Sequence, residues 1–205
     1  MNFLGAAGLG LLLGVVTGLP LGVVNVAVVD ASSAGHRRYA TGLGLGCAIA
    51  DTVHSLLAFV GVGRLVTERP DLVRILAIVG AIVIAGYAAL AWPRYRGRTI
   101  DDPAAPPVAA RSLSRAIPAG IALTLPNPGA LTAWVAIAAA LWPHAALGEA
   151  IGTALGVGIG SATWFALLAY LVSKLRANHP ALKHLPVVAL AVLIAIAIGG
   201  VARVL

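Results

Sequence analysis

Apolar residues run along this chain in six blocks separated by short polar punctuation. The blocks cover residues 3–29, 40–62, 72–92, 116–142, 147–172 and 185–204. A helix needs about 20 apolar residues to cross the hydrocarbon core of a bilayer. The pattern therefore predicts an all-α polytopic membrane protein with six transmembrane helices. A β-barrel would show short alternating strands, whereas these runs are continuous and rich in Ala, Leu and Val. The first and fourth blocks are longer than a straight crossing needs, which leaves each room for a break or a tilt.

Composition agrees with that class. Of 205 residues, 60% are hydrophobic and 10% charged, against roughly a quarter charged in a soluble domain. The lone cysteine, Cys47, excludes an intrachain disulfide. A net charge of +7 would suit a nucleic-acid binder, but the Lys and Arg residues lie between the apolar blocks. Positive-inside topology accounts for them, and no nucleic-acid partner is expected. Residues 1–16 have no basic stretch and no cleavage site. They read as the start of a retained span rather than a signal peptide.

Orientation follows from the loops. Arg37, Arg38, Arg94, Arg96, Arg98, Arg111, Arg115, Lys174, Arg176 and Lys183 follow the first, third and fifth blocks. Only Arg64, Arg69, Arg74 and Arg203 lie on the other side. The odd loops are therefore expected in the cytoplasm and both termini outside, in a multi-pass protein of the plasma membrane.

The polar stretch 93–115 holds Asp101-Asp102-Pro103 and Pro106-Pro107 and has no apolar period. It predicts a cytoplasmic linker between two units, 1–92 and 116–205, of three spans each. An odd number of spans per unit makes the units face opposite ways, as in the inverted repeats of secondary transporters. Internal similarity is faint. Leu19-Pro20 with Gly22 parallels Leu125-Pro126 with Gly129, and TVHSLLA from Thr52 parallels TWFALLA from Thr163.

The overlong blocks both contain proline. Pro20 sits between Gly18 and Gly22, and Pro126-Asn127-Pro128 interrupts the fourth block. Proline removes a helix hydrogen bond and clashes with the preceding turn. It also pushes the residue before it, here Asn127, out of the α region. In lipid the freed backbone groups must be covered by protein or line a wet cavity. The first and fourth helices are thus expected to be broken. Their half-helix ends, with Asn25 and Asn127, would meet near the midplane and bind the charged ends of a substrate. The expected substrate-binding residues are Pro20, Gly22, Asn25, Pro126, Asn127 and Pro128.

The run GLPLGVVNVAVVDASSAGHRRYATGLGLGCAIADTVHSLLAFVGVG resembles the lysine-exporter-type translocator family, which also includes threonine and homoserine efflux proteins. Gly22, Asn25, Gly35-His36-Arg37-Arg38, Gly42 to Gly46 and Asp51 stand where the family carries its motifs. Asn127 and Pro128 match its Asn-Pro element in the fourth span. Val23 replaces the family's usual proline, with Pro20 placed upstream instead. The resemblance implies six spans and export of amino acids or related small metabolites.

The second block carries a polar face. Cys47, Asp51 and His54 fall within an arc of about 60° on a helical wheel. Gly42, Gly46 and Ala50 form a second stripe, which suits close helix packing. Gly152, Gly156 and Gly160 repeat that spacing in the fifth block. Left exposed, the two stripes would allow a homodimer. An intramembrane Asp is costly, about 2.5–3.5 kcal/mol on insertion scales, so Asp51 is expected to be a proton or cation site. His54, one turn on, is expected to share its proton. A structural role for Asp51, as partner of His54 or of a backbone amide, is the plainer alternative.

Two functions fit these residues. One is a secondary exporter driven by a proton or ion gradient, since no nucleotide-binding motif is present and no cofactor is expected. The other is a heavy-metal or divalent-cation exporter, because Cys47, Asp51 and His54 offer sulfur, oxygen and nitrogen ligands. A non-transporting accessory or signalling protein would explain the spans but not the paired breaks. No HExxH or nucleophile–base motif points to an enzyme.

Overall fold

The computed structural model describes residues 2–19, 22–96, 113–142, 144–175 and 198. Pro20, most of the predicted linker and nearly all of the sixth predicted span lie outside the described residues. Among the described residues the regular structure is helical throughout. The helices are α1 (Phe3–Gly18), α2 (Val23–Ser33), α3 (Arg37–Phe59), α4 (Val62–Thr67), α5 (Pro70–Arg96), α6 (Leu113–Thr124), α7 (Pro128–Leu141) and α8 (Leu147–Leu175). The flanks of the predicted linker are thus helical, because α5 extends to Arg96 and α6 starts at Leu113.

Helices α3 and α8 are long and apolar enough to cross a bilayer, and the bent pairs α1–α2 and α6–α7 add two more if each counts as one span. The bends are alike, 72° between α1 and α2 and 71° between α6 and α7. Both fall where proline interrupts an overlong apolar block.

The packing is reciprocal. The first half-helix of the first pair, α1, lies on α8, and the first half-helix of the second pair, α6, lies on α3. Glycine makes both contacts close. A methyl at Gly46 would run into the Ile117 carbonyl, and one at Gly120 into the Leu43 carbonyl. On the other side, Gly14 meets the Val157 carbonyl and Gly160 the Leu11 carbonyl. Without a hydrophobic drive between helices in lipid, the van der Waals packing that such backbone proximity allows is one of the forces that hold them together. The two glycine stripes are therefore used within the chain. They are not free surfaces, and the homodimer expectation loses the feature it rested on.

Helix α2 is enclosed. Nine of its residues, including Asn25 and Asp30, are buried, as a broken span requires when its ends cannot face lipid. Its C-terminus closes on Gly35 at φ 86°, with Gly35 N–H donating to the Ser32 carbonyl and His36 N–H to the Ala31 carbonyl. This left-handed glycine cap turns the chain directly into α3. Glu149 accepts from the Ala146 amide at 2.9 Å and caps the start of α8. Near the far end of α3, Phe59 packs edge-on against Trp142, with ring centroids 6.2 Å apart.

Candidate functional site

The two breaks face one another across a cavity of about 200 Å³. Thr17, Gly18, Gly22 and Asn25 line it from the first break, and Thr124 and Asn127 from the second. Cys47 and Asp51 come from α3 and Phe165 from α8. The reciprocal packing brings them together, because α3 and α8 also pack on each other and hold the half-helices on either side.

Asn25 ties the first break. Its Nδ2 donates to the Gly18 carbonyl at 3.0 Å, and its Oδ1 accepts from Trp164 Nε1 at 3.1 Å. The Gly18 carbonyl is one of the groups that the end of α1 leaves without an intrahelical partner. The Trp164 ring lies against Gly18, where a Cβ would come within 2.5 Å of its Cδ1.

The second break is built differently. Asn127 has φ −85° and ψ 104°, the extended conformation that Pro128 imposes on its predecessor. Its Oδ1 accepts from the Gly129 and Ala130 amides at 3.0 and 3.4 Å, so its side chain caps α7. Pro128 opens α7, where a missing N–H costs nothing. Pro126 lines a separate apolar groove between α5 and α6 rather than the cavity.

Asp51 sits between α3 and α8. Its Oδ2 accepts from Ser161 Oγ at 2.7 Å and faces Cys47 Sγ at 3.7 Å, with Trp134 as a further polar neighbour. His54 does not join it. Its Nε2 lies 3.0 Å from the Leu125 carbonyl oxygen, and its Nδ1 is buried without a partner. The expected proton sharing between Asp51 and His54 is therefore not what the geometry shows. The freed carbonyl at the second break needs a donor, and the imidazole supplies it. The same turn of the ring separates His54 from Cys47 and Asp51 as metal ligands. Among the described residues no group of three or more His, Cys, Asp or Glu side chains converges as a metal site.

Three residues at or behind the cavity were not singled out by the sequence: Ser161, Thr17 and Thr124. Ser161 is fully buried, and its only signal was a hydroxyl immediately after Gly160. Thr17 and Thr124 each stand shortly before a Leu-Pro pair, a parallel visible in the sequence. The Thr17 hydroxyl donates to the Leu13 carbonyl at 2.8 Å. The Thr124 hydroxyl lies beside the Cys47 sulfur, but no group completes a hydrogen bond with its oxygen.

A family model described as LysE type translocator matches residues 15–205. No curated protein and no solved structure matches the chain.

Proposed function

From a chain that belongs to the LysE type translocator family, we propose a secondary transporter that exports amino acids or related small metabolites across the plasma membrane, driven by a proton or ion gradient. The observation that carries this reading is the convergence of both helix breaks and Asp51 on one cavity. Broken helices expose backbone groups that can bind a charged solute only where protein encloses them. The Asp51 carboxylate in the same lining adds a negative pole to the cavity. A solute with both charges, such as an amino acid, fits such a pair. Asp51 takes either the solute's ammonium group or the coupled proton.

The reciprocal packing of α1 on α8 and α6 on α3 supports two inverted three-helix units, 1–92 and 116–205, that rock about the shared cavity. Ten of the fourteen Lys and Arg residues follow the first, third and fifth apolar blocks, which supports a cytoplasmic linker and external termini. The test is uptake of labelled amino acids into inside-out vesicles. Accumulation that depends on an imposed proton or sodium gradient is expected. Absence of such accumulation across a panel of amino acids and their small derivatives overturns the exporter reading.

A further inference from the structure

Two helix N-termini meet the cavity, and they are chemically unequal. At α7 the donors are spent. The first residue, Pro128, has no N–H, Asn127 Oδ1 accepts from Gly129 and Ala130, and the Leu131 amide donates to the Asn127 carbonyl. At α2 the N-cap is Gly22, which has no side chain and caps nothing. The amides of Val23 and Val24 open the helix with no side-chain acceptor, and both residues are 5% exposed. Buried amides without a side-chain acceptor have donors to offer a ligand, and the helix dipole adds partial positive charge at that end.

The space in front of them is open. A Cβ built on Gly22 meets nothing within 4 Å. Thr124, on α6 beside α2, is 6% exposed, lines the same cavity and carries a hydroxyl oxygen without a partner. That state departs from the other cavity threonine and from Thr52, Thr132 and Thr163. All four donate to the carbonyl four residues earlier. Thr153 also lacks a partner but does not line the cavity.

We infer that the substrate's carboxylate binds at the N-terminus of α2, held by its uncapped first-turn amides and the Thr124 hydroxyl, and not at the N-terminus of α7. The inference rests on the exporter reading and gives the substrate a direction. Its anionic end points to α2 and α6, and its ammonium end to Asp51. Asn127, which the sequence singles out, then acts as a helix cap and leaves recognition to Thr124.

Thermal stabilisation of the purified full-length protein tests this, with L-alanine, L-alaninamide and propionate as probes. L-alanine and propionate carry the carboxylate, and the amide does not. L-alanine is expected to stabilise the wild type, propionate more weakly and L-alaninamide not at all. Thr124→Val keeps the shape but removes the hydroxyl, and should weaken L-alanine by roughly tenfold or more, the range for a lost hydrogen bond to a charged group. Gly22→Asp supplies a favourable N-cap and a carboxylate of its own at the subsite. The variant that remains folded, as its cooperative unfolding transition shows, should lose L-alanine binding.

L-alaninamide binding as well as L-alanine overturns the inference, as does full L-alanine affinity in a well-folded Gly22→Asp protein. Propionate binding that depends on Thr124, with no effect of L-alanine and no amino-acid flux in vesicles, upholds the subsite and sinks the exporter reading. If neither carboxylate stabilises the wild type, the subsite is overturned whatever the vesicles show.

Discussion

His54 Nε2 lies 3.0 Å from the carbonyl oxygen of Leu125, the residue that closes α6. At the other break Asn25 Nδ2 reaches the Gly18 carbonyl at the same distance. Each interruption thus has a freed carbonyl collected by a side chain. The described lining between them carries the Thr17 and Thr124 hydroxyls and the Asp51 carboxylate. This polarity suits a solute with an anionic and a cationic end.

Replacing His54 by Leu strands the Leu125 carbonyl among apolar atoms. Leaving one buried acceptor unpaired costs about 1–3 kcal/mol, and a lower unfolding midpoint in detergent should show it. His54→Gln offers an amide donor in place of the ring and should recover part of the loss. Because His54 is turned away from Asp51, the pH profile of transport in the Gln variant should match the wild type. A displaced profile would return His54 to the proton path.

Asn25 joins the Gly18 carbonyl to the Trp164 indole, so Asn25→Leu should cost more stability than Trp164→Phe. The first change strands both the Gly18 carbonyl and the Trp164 indole N–H. The second removes only the N–H and leaves a ring against Gly18. The double variant should be no worse than Asn25→Leu alone beyond the change in ring size, as expected for groups in one network. Fully additive losses in a double-mutant cycle would show that the two residues act independently.

The breaks were legible because proline in an overlong apolar block has few outcomes. Asn127 before Pro128 is extended for a reason that needs no neighbour. The glycine stripes were legible as packing faces, but not what they pack on, since spacing fixes a face of a helix and not its partner. Spacing alone leaves Gly42, Gly46 and the α8 stripe free to be exposed or covered, and the structure covers them. His54 and Asp51 share an arc of α3, yet their rotamers answer to different neighbours, the broken backbone of α6 and the hydroxyl of Ser161. Thr124 could have been noticed from its parallel with Thr17. Its missing partner could not, because Thr17 bonds back to its own helix and nothing in the sequence says that Thr124 does not.

Gly46 and Gly120 hold α3 and α6 at backbone contact, so bulk there should be felt at once. Gly46→Leu is expected to destabilise the fold by at least the 1–3 kcal/mol typical of overpacking, and Gly120→Leu likewise. Gly86, where a Cβ meets nothing within 4 Å, gives the control, and Gly86→Ala should be close to neutral or slightly stabilising. Unfolding in mild detergent reads all three. Equal midpoints in the Gly46 and Gly120 variants and the wild type would mean that α3 and α6 do not pack through these residues.

Asp51 separates coupling from binding. Asp51→Asn keeps the size of the side chain and can still accept from Ser161, but it fixes the group as neutral. If the carboxylate carries the coupled proton, gradient-driven export should stop while exchange of labelled for unlabelled amino acid across the membrane continues, because exchange needs no net proton release. If it pairs with the substrate's ammonium group, affinity falls and exchange stops too. Ser161→Ala sharpens the comparison. It removes the 2.7 Å hydrogen bond to Oδ2 but leaves the charge, so export should persist with a displaced pH dependence in the first case and a raised KM in the second. Reconstituted protein, assayed for exchange and for driven flux between pH 5 and 9, distinguishes them. Wild-type flux from Asp51→Asn at every pH would remove Asp51 from the mechanism and leave the carboxylate subsite at the α2 N-terminus and Thr124 as the remaining pole of the site.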